Sequence, residues 1–262
     1  MPKFAANLSM MFNEVPFLDR FAAARDAGFK AVEFLSPYDH PVDAVAGRLH
    51  EAGLEIALFN LPPGDWAAGE RGITSIPGRE AEFRASVEKA LLYAEAMGAT
   101  RLHAMAGIPP ASADSGSCRA TIIANLRHAA EKLAGHGITL LLEAINTRDM
   151  PGFFVSTQAD SFAICQAVGA PNIRMQMDLY HMQMTEGDLA SKLRQYAPHC
   201  GHVQIAGVPG RHEPDTGEIR YEYLFRLLDE LGYDGWVGCE YRPAGNTVDG
   251  LGWLRTMSAT AA

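Results

Sequence analysis

Basic residues are in deficit: 22 Lys and Arg stand against 31 Asp and Glu in 262 residues, a formal net charge of −9. That balance repels polyphosphate, so nucleic acid is not an expected partner without a local basic patch or bound metals to compensate. No window approaches the ~18 apolar residues of a membrane span. Met1–Pro2–Lys3 leads straight into strand-like sequence and not into a signal peptide, so neither a membrane nor an exported location is expected and the chain is assigned to the cytoplasm. Cysteine is scarce, and Cys118, Cys165, Cys200 and Cys239 lie far apart with no C-x-x-C pair. Such spacing fits reduced, mostly buried thiols and excludes a disulfide framework. Neither G-x-G-x-x-G nor G-x-x-x-x-G-K-[ST] occurs, which leaves dinucleotide and P-loop nucleotide binding without support. Linker-like and low-complexity stretches are missing too. What is there is 48% hydrophobic and 20% charged, ample for a sizeable core.

Short apolar runs recur along the whole chain, at 4–10, 31–36, 56–61, 101–107, 139–146, 174–181, 201–207 and 236–242. Between them lie stretches with apolar residues at helical spacing, at 17–27, 42–52, 79–97, 118–135, 157–168, 188–196 and 222–231, with a last short helix expected at 248–255. Several of these helices end in glycine, among them Gly28, Gly53, Gly98 and Gly169, which stops a helix in the left-handed conformation. Eight strand–helix units in this length predict one α/β domain spanning 1–262, a (β/α)8 TIM barrel. Two connections, 60–78 and 207–221, are longer than the barrel needs. Both follow strands and therefore emerge at the C-terminal rim, where barrel active sites are built, as candidate lids.

Side chains alternate across a strand, which sorts the second half of the barrel into two faces. Leu140, Leu142 and Ala144 oppose Glu143; Met175, Met177 and Leu179 oppose Gln176, Asp178 and Tyr180. Val203 and Ile205 oppose His202 and Gln204, while Val237, Cys239 and Tyr241 oppose Gly238, Glu240 and Arg242. The apolar faces must pack on the helices, so Glu143, Asp178, Gln204 and Glu240 converge inside the barrel near its C-terminal mouth. Three enclosed carboxylates repel one another and are costly to desolvate. They share a proton, pair with arginine, or bind a divalent cation, and an oxygen-rich set without cysteine suits Mg²⁺ or Mn²⁺.

The runs T-L-L-L-E-A-I-N, M-D-L-Y-H, H-V-Q-I-A, R-H-E-P-D-T-G-E and G-Y-D-G-W-V-G-C-E-Y, with F-N-L-P-P-G-D-W and G-E-R-G in the first half, resemble the hydroxypyruvate isomerase family of the xylose-isomerase-like TIM barrels, over essentially the whole chain. The 2-oxo-tetronate isomerases share most of these motifs. The resemblance implies an aldose–ketose isomerase that interconverts hydroxypyruvate and 2-hydroxy-3-oxopropanoate through a metal-stabilised enediolate. It makes Glu143 and Glu240 the proton donor/acceptor pair, and Glu143, Asp178, Gln204 and Glu240 the ligands of a divalent ion. A ketose 3-epimerase would use the same pair, but those enzymes carry a metal-binding histidine where Gln204 stands. Partners implied are a small hydroxy or oxo acid and further copies of the chain, as a homo-oligomer.

Among the histidines, His181 is the candidate to touch substrate oxygens and His103 the candidate to line the pocket, whereas His202, one layer deeper than Gln204, reads as a hydrogen-bonded interior group. A substrate carboxylate calls for an arginine. Arg211, Arg71 and Arg242, from rim loops or strand ends, are the candidates. An endonuclease on this barrel would need several more His and Asp ligands and a basic face, which the composition does not offer.

Overall fold

The chain is described here over residues 2–259 by a computed structural model. Eight parallel strands close into a barrel in sequence order: β1 Lys3–Asn7, β2 Ala31–Phe34, β3 Glu55–Asn60, β4 Arg101–His103, β5 Thr139–Glu143, β6 Ile173–Asp178, β7 Cys200–Ile205 and β8 Trp236–Cys239. Closure is made by β8 on β1, with Phe4 opposite Val237 and Ala6 opposite Cys239. Around it run α1 Arg20–Asp26, α2 Val42–Ala52, α3 Glu80–Met97, α4 Ser115–Ala134, α5 Gln158–Val168, α6 Leu179–Thr185, α7 Leu189–Tyr196, α8 Tyr221–Glu230 and α9 Gly252–Ala259. No helix among the described residues is long and apolar enough to cross a membrane.

The expected alternation holds. Leu140, Leu142, Val203, Ile205 and Val237 are buried in one large apolar cluster with helix residues such as Leu126, Ile164 and Phe225. In α8 the buried Tyr221, Leu224, Phe225 and Leu228 recur at helical spacing, which is why that segment coils and turns one side to the sheet. The opposite strand faces carry polar groups that are just as buried: Asn7, Glu33, Asn60, His103, Glu143, Gln176, Asp178, His202 and Gln204, with Glu240 immediately beyond β8.

Strands β1, β4, β5 and β8 end three or four residues before the apolar runs that announced them, and two further differences have a local cause. The sixth strand ends at Asp178 and not at residue 181, because the Asp178 carboxylate accepts from the Tyr180 backbone N–H at 2.8 Å and so caps α6. The alternation M-Q-M-D-L-Y continues through the cap, which hides the change from strand to helix. The fourth helix begins at Ser115, before residue 118, with Asp114 as its cap.

Interior packing gives one glycine a fixed role. At Gly238 a Cβ would lie 2.2 Å from Glu33 Oε2. Glu33 cannot withdraw without losing His202 Nε2 at 2.7 Å and the Gln204 amide at 2.8 Å. Gly238→Ala is therefore expected to destabilise the protein by about 2–3 kcal/mol. Urea unfolding reads this as a lower midpoint at unchanged slope; a midpoint equal to wild type would show that Glu33 is free to move.

Candidate active site

The C-terminal ends of β5, β6 and β8 bring four side chains together: Glu143, Asp178, His181 and Glu240 each offer an atom within 4.8 Å of the others, all buried. Glu143 and Asp178 are the last residues of their strands, Glu240 follows the last residue of β8, and His181 lies in the first turn of α6, three residues after Asp178. His181 Nε2 stands 3.6 Å from Asp178 Oδ2 and 3.9 Å from Glu143 Oε1. His103, at the end of β4, faces Glu143 Oε2 from 3.8 Å and is tied through Nδ1 to Asn60 Oδ1 at 3.2 Å.

A single buried arginine balances these acids. Arg211 Nη2 donates to Glu240 Oε2 at 2.8 Å and lies 3.5 Å from Asp178 Oδ2. Its guanidinium sits over the Tyr180 ring at 4.8 Å, and the Tyr180 hydroxyl donates to Asp149 at 2.8 Å. Arg211 adopts φ +55°, a left-handed conformation uncommon outside glycine, within the long β7–α8 connection. That connection is tightly pinned. The Gly207 N–H donates to His212 O, the Arg242 N–H donates to Arg211 O, and buried Glu213 accepts from the Ala244 N–H. In this arrangement the loop holds a left-handed backbone at Arg211 that aims its side chain at Glu240 and Asp178.

One positive charge does not offset the burial of three acids. Burial, then the neighbouring Glu240 and Asp178, push the Glu143 carboxyl well above the ordinary range. Burial likewise raises Asp178 against the pull of Arg211. Glu240 is pushed up to about 8, chiefly by burial, despite its ion pair with Arg211. His103 is held down to about 3 by burial and the nearby His202, and burial and Arg211 keep His181 well below its usual range. Both rings are thus neutral near pH 7. Glu143 Oε1 and Asp178 Oδ2 are buried without a hydrogen-bond partner. Orphaned carboxyl oxygens that converge beside an excess of acid are what a divalent ion would satisfy, and the residues present fit such an ion.

Gln204 is held by its neighbours. Its Nε2 donates to Glu33 Oε1 at 2.8 Å, and its Oε1 accepts from Gln176 Nε2 at 2.6 Å. The expectation that it offers that oxygen to an ion therefore draws on the second lone pair of an oxygen already in use. Arg71 is not brought to the acids: it packs on the Trp66 ring at 3.8 Å and donates to the Trp66 and Glu70 carbonyls. A cleft of about 1110 Å³ opens beside the acid cluster, with Tyr38, Asn60, Trp66, Lys89, Met105 and Arg242 among its walls. It abuts the cluster through Asn60 and its bond to His103, and through Arg242, two residues beyond Glu240. The Arg242 guanidinium makes no hydrogen bond or ion pair among the described residues.

Sequence reasoning missed Glu33, Asn7 and Asn146. Glu33 accepts from Asn7, Gln204 and His202, so it underpins the whole floor of the site. The signal was present: Ala31 and Glu33 alternate with Val32 and Phe34, the same pattern that located Glu143.

Residues 21–257 match the family model of the xylose isomerase-like TIM barrel. The 2-oxo-tetronate isomerase of Cupriavidus necator is 58% identical over 97% of this chain and 98% of its own length. The hydroxypyruvate isomerase of Escherichia coli is 47% identical over 97% and 98%. A solved structure from Brucella melitensis, described as an AP endonuclease of family 2, superposes with a TM-score of 0.96 at 54% identity, covering 98% of this chain and 99% of that one. With its closed eight-stranded barrel and full-length isomerase relatives, the chain belongs to the xylose isomerase-like TIM barrel family and is an isomerase.

Proposed function

We propose that this isomerase moves a proton between C3 and C2 of a short 2-oxo-3-hydroxy acid, with 2-oxo-tetronate as the substrate and hydroxypyruvate as the second reading. The observation that carries the proposal is the convergence of two buried glutamates, Glu143 and Glu240, on one small enclosed space. The two acids undergo the same chemistry. Each has a ketone at C2 and a hydroxyl at C3, and they differ only in the C3 substituent, hydroxymethyl or hydrogen. The 58% identity with a 2-oxo-tetronate isomerase favours the four-carbon acid. The 47% identity with a hydroxypyruvate isomerase keeps the three-carbon acid as the second reading.

One glutamate takes the C3 proton and the other returns a proton at C2, while the C3 hydroxyl proton passes to the C2 oxygen, and the reverse direction uses the same pair with roles exchanged. Burial serves both roles, because a carboxyl whose pKa is raised toward neutrality both holds and accepts a proton at working pH. Arg211, 2.8 Å from Glu240, offsets the negative charge of the enediolate. Arg242, which lines the cleft and has no side-chain partner among the described residues, is the residue we assign to the substrate carboxylate. Glu143, Asp178 and Glu240, with Gln204, would hold a divalent cation, Mg²⁺ or Mn²⁺, which supplies Lewis-acid polarisation of the substrate's ketone. A nuclease reading gains nothing from this site: the described residues hold one group of four acidic or histidine ligands, and the chain carries −9 charge.

The test is a coupled assay on chelator-stripped protein, with and without Mg²⁺ or Mn²⁺, offering both acids side by side while solvent deuterium uptake is followed by NMR. Metal-restored turnover with a higher kcat/KM for 2-oxo-tetronate is expected. Preference for hydroxypyruvate would select the second reading, and neither turnover nor exchange with either acid would refute the proposal.

A further inference from the structure

His181 is one of four groups whose geometry suits a metal ion, yet its other ring nitrogen tells against that role. A histidine that ligates a metal through Nε2 donates its Nδ1–H to an acceptor, commonly a carbonyl or carboxylate. Here Nδ1 faces two donors. The Asn146 Nδ2 amide lies 2.6 Å from it, and the Asn146 backbone N–H points at it from 3.5 Å. The backbone group can only donate. The amide's orientation is fixed as well, because Asn146 Oδ1 accepts from the backbone N–H groups of Arg148 at 3.1 Å and Asp149 at 2.8 Å, which leaves Nδ2 turned to the imidazole and to Asp149 Oδ2 at 3.2 Å. A proton on Nδ1 would confront both donors, so the imidazolium and the Nδ1–H tautomer are each disfavoured and the ring's one proton belongs on Nε2. That proton points at Asp178 and Glu143.

We infer that Asn146 is a positioning residue that locks His181 as the Nε2–H tautomer, so that His181 meets the site as a hydrogen-bond donor and is barred from ligating an ion. The β5–α5 turn thereby divides the four converging groups by role. Three carboxylates remain as anionic ligands, and the neutral oxygen adjoining them is that of Gln204, whose strand position pairs with Asp178. His181 is left to donate to an oxygen of the substrate. This last consequence rests on the isomerase reading above; the tautomer does not.

The experiment is ¹⁵N NMR of histidine-labelled, full-length protein, metal-free and with saturating Mg²⁺, with the His181 signals assigned through His181→Asn. The expected spectrum has a protonated Nε2 and an unprotonated Nδ1 in both states. A protonated Nδ1, alone or with Nε2, overturns the inference whether or not the protein turns over either acid, and failed turnover with the expected spectrum refutes only the isomerase reading. The double variant N146D/D149N relocates one negative charge without adding another and gives Nδ1 an acceptor. It is expected to move the proton to Nδ1 and to tighten Co²⁺ relative to Mg²⁺ by about tenfold or more, with a changed Co²⁺ visible spectrum. A folded double variant that keeps the Nε2–H form overturns the inference, and if that variant does not fold the wild-type spectrum decides alone.

Discussion

Glu143→Gln and Glu240→Gln are each expected to lower kcat by about 10³-fold, the range in which a positioned acid or base acts. Glutamine keeps the shape and one oxygen of glutamate but neither takes up nor releases the proton. The two variants separate by isotope exchange. The one that lacks the group acting at C3 exchanges no C3 hydrogen with D₂O, whereas the one that lacks the group acting at C2 still exchanges there and forms no product. The double variant should lose little beyond the worse single one, because the pair acts as a unit. A parallel Mn²⁺ titration shows how much of each loss is weakened metal binding. Metal-free Glu143→Gln should also melt above wild type at pH 8, since it removes an acid whose ionised form burial and two neighbouring carboxylates disfavour. Retention of more than about a tenth of wild-type kcat by both variants would remove the glutamate pair from the mechanism.

The barrel was legible because its signal is repetitive: eight short apolar runs separated by helical spacing leave little choice of closure. The acid cluster was legible for a related reason, since Glu143, Asp178 and Glu240 stand on the strand faces opposite the apolar ones, inside the barrel, where a charge requires a purpose. The pattern failed where local hydrogen bonding overrides periodicity. Asp178 ends a strand and starts a helix in one step, which moves His181 from a strand end to a helical turn and so brings its Nε2 to 3.6 Å from Asp178 Oδ2. The arginines were not separable by sequence, because their roles depend on loop geometry. Arg211 reaches Glu240 through a left-handed backbone that no residue preference announces, and Arg71 folds back onto Trp66 in its own loop. Asn146 was read only as the end of a strand. Its role depends on the turn that follows, where the Arg148 and Asp149 amides orient its side chain.

The metal-free protein is expected to lose stability as pH rises from about 5 to about 8, the reverse of what salt-bridged carboxylates confer. An unfolded glutamate titrates near 4.3, while Glu240 in the folded protein is pushed up to about 8 and Glu143 and Asp178 are also raised, all chiefly by burial. Between those limits the three carboxyls hold protons when folded that they release on unfolding, outnumbering the two taken up by His103 and His181, which are neutral when folded, so unfolding becomes more favourable as pH rises. The stabilising contribution of these groups is complete below the unfolded pKa and is lost as pH passes through the folded one. Chelator-stripped protein should therefore melt on the order of 5 °C lower at pH 8.5 than at pH 6. Saturating Mn²⁺ should shrink that difference, because the ion's charge replaces the protons. The same exchange makes binding proton-coupled: Mn²⁺ affinity rises with pH, and calorimetry in buffers of different ionisation enthalpy should show protons released on binding. Glu240→Gln removes one of these protons and should flatten the melting profile. A metal-free protein whose melting temperature rises from pH 6 to pH 8.5, with no protons released by the ion, would mean that the acids are already ionised and matched by charge without a metal.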